Sequence, residues 1–152
     1  MPAIRTILHP TDMSVQAAAA ADYACFLAQQ FDAQLHLLYV VEDAMGKIPE
    51  PELGFPPPGD HVPALSAMLP RLQEALGIDL PEADRLLLAT RLGPIDAQII
   101  AYADEQSIDL IVIGTHGRRG IAHALLGSVA EAVVRKASCP VLTVRCGQPA
   151  TE

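Results

Sequence analysis

The chain predicts an α/β fold, a five-stranded parallel sheet with helices on both faces, on the strength of three observations. Short apolar runs alternate with stretches of helical spacing five times along 152 residues, the order in which crossovers carry a chain back across a parallel sheet. The run LHLLYVV at residues 35–41 is nearly all apolar, as a strand covered on both sides must be. The helical stretches each carry apolar residues three and four apart, so each has one face to bury.

The first strand is read at residues 4–9, with Ile4, Ile7 and Leu8 apolar and Pro10 ending the run. Thr11 to Ser14 supplies turn and cap chemistry. Residues 15–31 form an alanine-rich helix, with Ala20, Tyr23, Ala24, Leu27, Ala28 and Phe31 facing inward. Its small side chains allow a close approach to the sheet. The second strand at 35–41 ends at Glu42 and Asp43. Residues 46–63 carry Pro49, Pro51, Pro56, Pro57, Pro58 and Pro63 with Gly54 and Gly59. No regular element survives that density of proline, so a surface loop is expected.

Helical spacing returns at 64–76 with Leu65, Met68, Leu69, Leu72 and Leu76, and Gly77 stops it. A third strand spans 85–90. Gly93 and Pro94 open a helix to about Gln106, with Ile95, Ile99, Ile100 and Ala103 inward. The fourth strand is 108–113, a glycine loop follows, and a helix at 128–137 leads to a last strand at 141–145. By length this is one domain at 1–147, with a proline-rich insertion at about 44–63 and a tail at 148–152.

Hydrophobic residues make up 51% of the chain and the net charge is -8. That balance describes a globular protein and argues against nucleic acid, whose backbone needs a basic surface. A single nucleotide, which feels local donors, is not excluded. No apolar run approaches the roughly 18 residues that span a bilayer. The start MPAIRTILHPTD is no signal peptide. A cytoplasmic protein without membrane insertion is expected. Cys25, Cys139 and Cys146 have no metal or redox spacing; Cys25 reads as a small buried hydrophobe.

In folds of this kind ligands settle outside the carboxyl ends of the strands, where the strand order reverses. The ends concerned are 10–12, 40–42 and 114–117. Gly114 and Gly117 follow an apolar strand, and Gly127 joins Ser128 at the mouth of a helical pattern. Glycines admit a close backbone approach, and amides at a helix start point at negative charge. Ser128 and Glu131 have the spacing of a capping box, in which Ser128 caps and Glu131 reaches back. Phosphate can still occupy the amides at Val129 and its neighbours.

Arg118 and Arg119 can neutralise phosphate through charged hydrogen bonds, Arg118 being the better placed. His116 and His123 read either as solvated loop residues or as phosphate contacts. Asp12 can accept from ribose hydroxyls or hold a divalent metal near phosphates, and otherwise caps a turn. The chain lacks GxxxxGK[ST] and has no GxGxxG after the first strand. No nucleophile stands beside a base and no residues have metal-cluster spacing. The whole reads as a binding device rather than an enzyme.

On these residues the chain resembles the universal stress protein family, in its ATP-binding subgroup. The family pattern G-x2-G-x9-G-[ST] is matched by Gly114, Gly117, Gly127 and Ser128, with HPTD near the start, LLYVVED after the second strand and SCPVLTVR near the end. The resemblance implies a Rossmann-like fold of the adenine-nucleotide alpha-hydrolase type. It places Pro10, Thr11 and Asp12 by the ribose, and the backbone of Val40 at adenine. Phosphates fall to Gly114, Gly117, Arg118, Gly127, Ser128 and Val129, beside the candidate contact His116 named above, with magnesium or manganese reached by Asp12 indirectly. It also implies a homodimer through 141–145. Ala130 offers no hydroxyl where some relatives have one.

The expected function is an adenine-nucleotide-binding regulatory protein of the stress response, for ATP (or ADP or AMP), assembling with protein partners as nucleotide binds. The alternatives are a slow ATPase with Asp12 holding a metal, and a dimeric scaffold independent of nucleotide.

Overall fold

The computed structural model describes residues 2–12, 17–42, 70, 73–74, 79–115 and 126–145. Five strands pair in parallel, in the order β3-β2-β1-β4-β5. They are β1 (Thr6–Thr11), β2 (Gln34–Val41), β3 (Leu86–Leu92), β4 (Leu110–Gly114) and β5 (Val141–Val144). Between them lie helices α1 (Ala18–Phe31), α2 (Ile95–Glu105) and α3 (Ser128–Lys136), with a 3-10 turn at Ala83–Arg85 before β3. The expected fold class stands. The proline-rich stretch 44–63, most of the expected helix at 64–76, Cys146 and the tail 148–152 lie outside the described residues.

Helices cover both faces of the sheet, as side chains that alternate along each strand require. On one face α1 packs Ala20, Ala24, Cys25 and Ala28 against Ile7, Leu35, Leu110, Val112 and Val144. On the other, Ile99, Tyr102 and Ala103 of α2 with Ala130 and Val133 of α3 cover Leu8, Leu38, Ile111 and Ile113. The stripe 20-24-28 is the expected one, and Cys25 is buried in it. Tyr23 and Phe31, expected inward, are 55% and 47% exposed. The helix turns its small residues to the sheet, and that close approach leaves no room for a ring.

Element ends move by a few residues. The expected strand 4–9 is observed at Thr6–Thr11 and runs through Pro10 instead of stopping there. Pairing with β4 is made at Ile7 and Leu8, while pairing with β2 continues to Thr11. Past Leu8 the strand therefore uses fewer sheet hydrogen bonds, and a missing N–H is tolerated. The third strand begins at Leu86, because Arg85 belongs to the 3-10 turn. The fourth begins at Leu110, and α1 begins at Ala18 rather than Val15.

Gly93, between β3 and α2, has φ +139°, where a side chain is strained. Its N–H donates to the Val41 carbonyl at 2.9 Å, which brings the start of α2 to the end of β2.

Candidate functional site

β1 leads outward to β2 and β4 leads outward to β5, so the strand order reverses between β1 and β4. A crevice opens at the carboxyl ends of such a pair, because the two connections leave in opposite directions. On one side of it stand Pro10 and Thr11, the last residues of β1, followed by Asp12. On the other stand Gly114, the last residue of β4, and Thr115. Val40 is one step beyond the Thr11–Tyr39 pair, level with Asp12 on the neighbouring strand.

The start of α3 meets the end of β4. The Thr115 N–H donates to the Val144 carbonyl at 2.9 Å, and the Thr115 carbonyl accepts from the Gly127 N–H at 2.5 Å. Those two bonds tie the start of α3 to the end of β4 and bring Gly114 near Gly127. Gly127 is the N-cap, with φ -66° and ψ 162°, and among the described residues no side chain caps the helix. Its carbonyl accepts from the Glu131 N–H at 2.9 Å. The amides of Ser128, Val129 and Ala130 are thus the first of the helix, where no intrahelical acceptor exists.

The expected capping box is not formed. Ser128 is the first helical residue rather than the cap, and Glu131 pairs with Arg135 at 2.9 Å. Gly127 takes the cap position because its N–H is held by Thr115, one residue earlier than the spacing suggested. Nor does Gly127 need a left-handed backbone, since its φ is open to any residue. The consequence favours a ligand: without a capping side chain, the first amides of α3 keep their donors.

Two buried polar atoms lie on or next to the strands that flank this crevice. His9, 1% exposed, places Nδ1 2.9 Å from the Val112 carbonyl, while its Nε2 has no partner. Burial pushes its pKa below the ordinary imidazole value, against the opposite pull of the Val112 carbonyl and the Asp12 carboxylate. The ring is therefore neutral, with its proton on Nδ1 toward the carbonyl and a bare lone pair on Nε2. Thr115, 3% exposed, has an Oγ1 without a partner. Among the described residues these are the buried side-chain polar atoms left unsatisfied, in an interior where such groups are few.

The structure thus brings Pro10, Thr11, Asp12, Val40, Gly114, Gly127, Ser128 and Val129 to one end of the sheet. His116, Gly117 and Arg118, with Arg119 and His123, lie outside the described residues. Sequence reasoning passed over His9 and Thr115. The signals were present: a histidine inside an apolar strand, and a hydroxyl directly after the first glycine of the loop. No group of three His, Cys, Asp or Glu gathers as a metal site among the described residues. A separate concavity lined by Ala28, Gln29, Asp32, Leu80, Glu82 and Arg85 lies at the opposite end of the sheet, beside the Arg85–Asp32 ion pair. It holds no unsatisfied buried atom among the described residues, and we give the crevice precedence on that chemistry.

The model of the Universal stress protein family matches residues 3–145. Universal stress protein MJ0531 of Methanocaldococcus jannaschii is 33% identical over 145 residues, 93% of this chain and 82% of the relative. Among solved structures, universal stress protein UspA from Lactobacillus plantarum superposes with a TM-score of 0.71 at 30% identity, over 95% of this chain and all of that one. A universal stress protein solved in complex with cAMP superposes with a TM-score of 0.66 at 25% identity, over 96% of this chain and 100% of that one.

Proposed function

The chain belongs to the universal stress protein family, and from that premise we propose that it is an adenine-nucleotide-binding regulatory protein of the stress response, with ATP as its ligand. The observation that carries this reading is the uncapped start of α3, docked on the end of β4 by the Gly127–Thr115 hydrogen bond. Helix-start amides with no side-chain cap among the described residues, at a strand-order reversal, suit phosphate. The relative bound to cAMP supports the choice of an adenine nucleotide.

In this reading the amides of Ser128 and Val129 and the backbone at Gly114, Gly117 and Gly127 hold the phosphates, with His116 and Arg118 adding charge. The Thr115 hydroxyl supplies a further donor at the floor. Asp12 accepts from the ribose hydroxyls beside Pro10 and Thr11, and the Val40 backbone meets adenine. Magnesium or manganese is held through the phosphates, with Asp12 at hand. The reading assigns no residue of this set to activate a water, so the protein acts as a binder. Binding alters the loop around Gly117 and thereby what a partner or a second copy meets. A second copy pairs along β5, an edge strand whose Leu142 is 37% exposed.

Calorimetric titration of the purified protein with ATP, AMP and cAMP tests the reading. Saturable ATP binding that is lost in Gly117→Val and Gly127→Val is expected. Absence of binding to all three, or unchanged affinity in both variants, would overturn it. Time-dependent ADP formation by the intact protein would replace the binder by a slow ATPase.

A further inference from the structure

Helix α2 is held to the sheet by a polar cluster that the crevice does not use. His36 of β2 is 3% exposed. Its Nδ1 lies 2.8 Å from the Tyr102 hydroxyl of α2, and its Nε2 lies 3.1 Å from Gln34 Oε1. An amide oxygen only accepts, so Nε2 carries the proton and Nδ1 accepts from the tyrosine. The two rings meet edge to face, centroids 5.8 Å apart. The guanidinium of Arg91, on β3, lies 5.3 Å from the Tyr102 ring centroid and pairs with Glu105 at 2.5 Å. Two strands and a helix share this arrangement, and it needs one donor and one acceptor nitrogen on the same imidazole.

We propose that Gln34, His36 and Tyr102 form an acid-sensitive latch, which holds α2 on the β2–β3 half of the sheet while His36 is neutral and loosens when it is protonated. A proton on Nδ1 turns the acceptor into a donor facing the tyrosine hydroxyl, whose own hydrogen then loses its place. It also creates a buried cation, which is costly without a counter-charge. None is supplied. β1 sets Leu8 opposite His36, and β3 sets Leu87 there with Arg91 further along. Of the acids on α2, Glu105 pairs with Arg91, Asp96 faces Lys136 at 3.9 Å, and Asp104 is exposed. Burial lowers the pKa of His36. It raises that of Tyr102, with Arg91 pulling the other way.

The sign follows from linkage. A folded-state pKa below the unfolded one means that the unfolded chain holds more protons between the two values. The contribution is complete above the unfolded value of about 6.5 and is lost as pH falls through the folded one. Buried His9 acts with the same sign, so total stability cannot isolate the latch and a site-resolved measurement is needed.

That measurement follows the His36 ring nitrogens by NMR in the full chain from about pH 8 to about pH 5, together with amide exchange in α1 and α2. The neutral ring is expected to carry its proton on Nε2 and to titrate below about 6.5. In step with it, α2 amides lose at least about tenfold in protection while α1 amides keep theirs. Tyr102→Phe keeps the ring but removes the donor to Nδ1, so the His36 titration moves upward. Unchanged α2 protection across the His36 titration, a neutral ring protonated on Nδ1, no titration above about pH 5, or a Tyr102→Phe titration that stays in place would each overturn the latch.

Discussion

The two ends of the sheet treat polar groups in opposite ways. At the amino end, the Asp109 carboxylate accepts from the N–H groups of Arg5 and Thr6 at 2.9 and 3.0 Å. The Asp109 N–H in turn donates to the Thr6 carbonyl at 3.1 Å. These bonds fasten β1 to the chain entering β4. At the carboxyl end, His9 Nε2 and Thr115 Oγ1 are buried without partners, and α3 starts with no side-chain cap. One end uses its hydrogen bonds to hold strands together. The other keeps them available, which costs stability and is the condition for gripping a ligand.

Gly127→Val makes the sharpest test of that contrast. At φ -66° the backbone accepts valine, so the added bulk acts chiefly on the ligand space, beside the smaller cost of replacing a glycine N-cap. ATP affinity should fall by more than about 100-fold, roughly 3 kcal/mol, with thermal stability lowered by no more than about 1 kcal/mol, the cost of a lost N-cap. A large drop in melting temperature would mean that this end also carries structural load.

Asp109→Ala should behave in the reverse manner. Losing charge-assisted hydrogen bonds costs about 1–2 kcal/mol, at the lower end because the carboxylate is partly solvated, and ATP affinity should not change. The Arg5 amide, first among its neighbours, holds the Asp109 carboxyl below the usual carboxylate range. Its contribution is therefore present above the unfolded value near ~3.9 and is lost as pH falls through the folded one. Chemical denaturation at several pH values, with titration calorimetry alongside, reads both quantities.

Gly93→Ala probes a fastening point at the carboxyl end, where its N–H meets the Val41 carbonyl. The new Cβ would sit 2.9 Å from Gln98 Nε2 at a backbone angle of +139°. A loss of about 1 kcal/mol or more is expected. Adding Gln98→Ala should relieve the contact but not the backbone strain, so urea midpoints of the double variant should recover only in part.

Thr115→Val is the smallest and most discriminating change. It removes an unsatisfied buried hydroxyl at nearly constant shape, so stability should hold or rise slightly, by up to about 1 kcal/mol. ATP binding should weaken about 3- to 10-fold if that hydroxyl meets phosphate, again about 1 kcal/mol. A variant that is both less stable and equally tight would place the hydroxyl with the fastening groups instead.

Much of this contrast was legible in the residues. LHLLYVV announced a strand covered on both faces, and Ala20, Ala24 and Ala28 announced a helix lying close to the sheet. The spacing of Gly114, Gly117, Gly127 and Ser128 pointed to the loop and its helix. The misses share a cause. Tyr23 and Phe31 fit the helical period as well as the alanines do, and only the distance between helix and sheet decides which of them goes inside. Pro10 looked like a strand end, but it lies in β1 beyond the residues paired with β4. Ser128 looked like a cap, yet the Thr115 carbonyl captures Gly127 and shifts the helix start by one residue.

Periodicity and spacing are local properties, so the chain by itself determined its alternation of strands and helices, its parallel sheet and the glycine loop that ends β4. Tertiary structure alone decided which polar atoms find partners. His36 meets Tyr102 and Gln34, while His9 Nε2 and Thr115 Oγ1 meet none. The physical reason is that a hydrogen bond between residues far apart in sequence depends on strand register and helix placement, which no stretch of residues encodes alone.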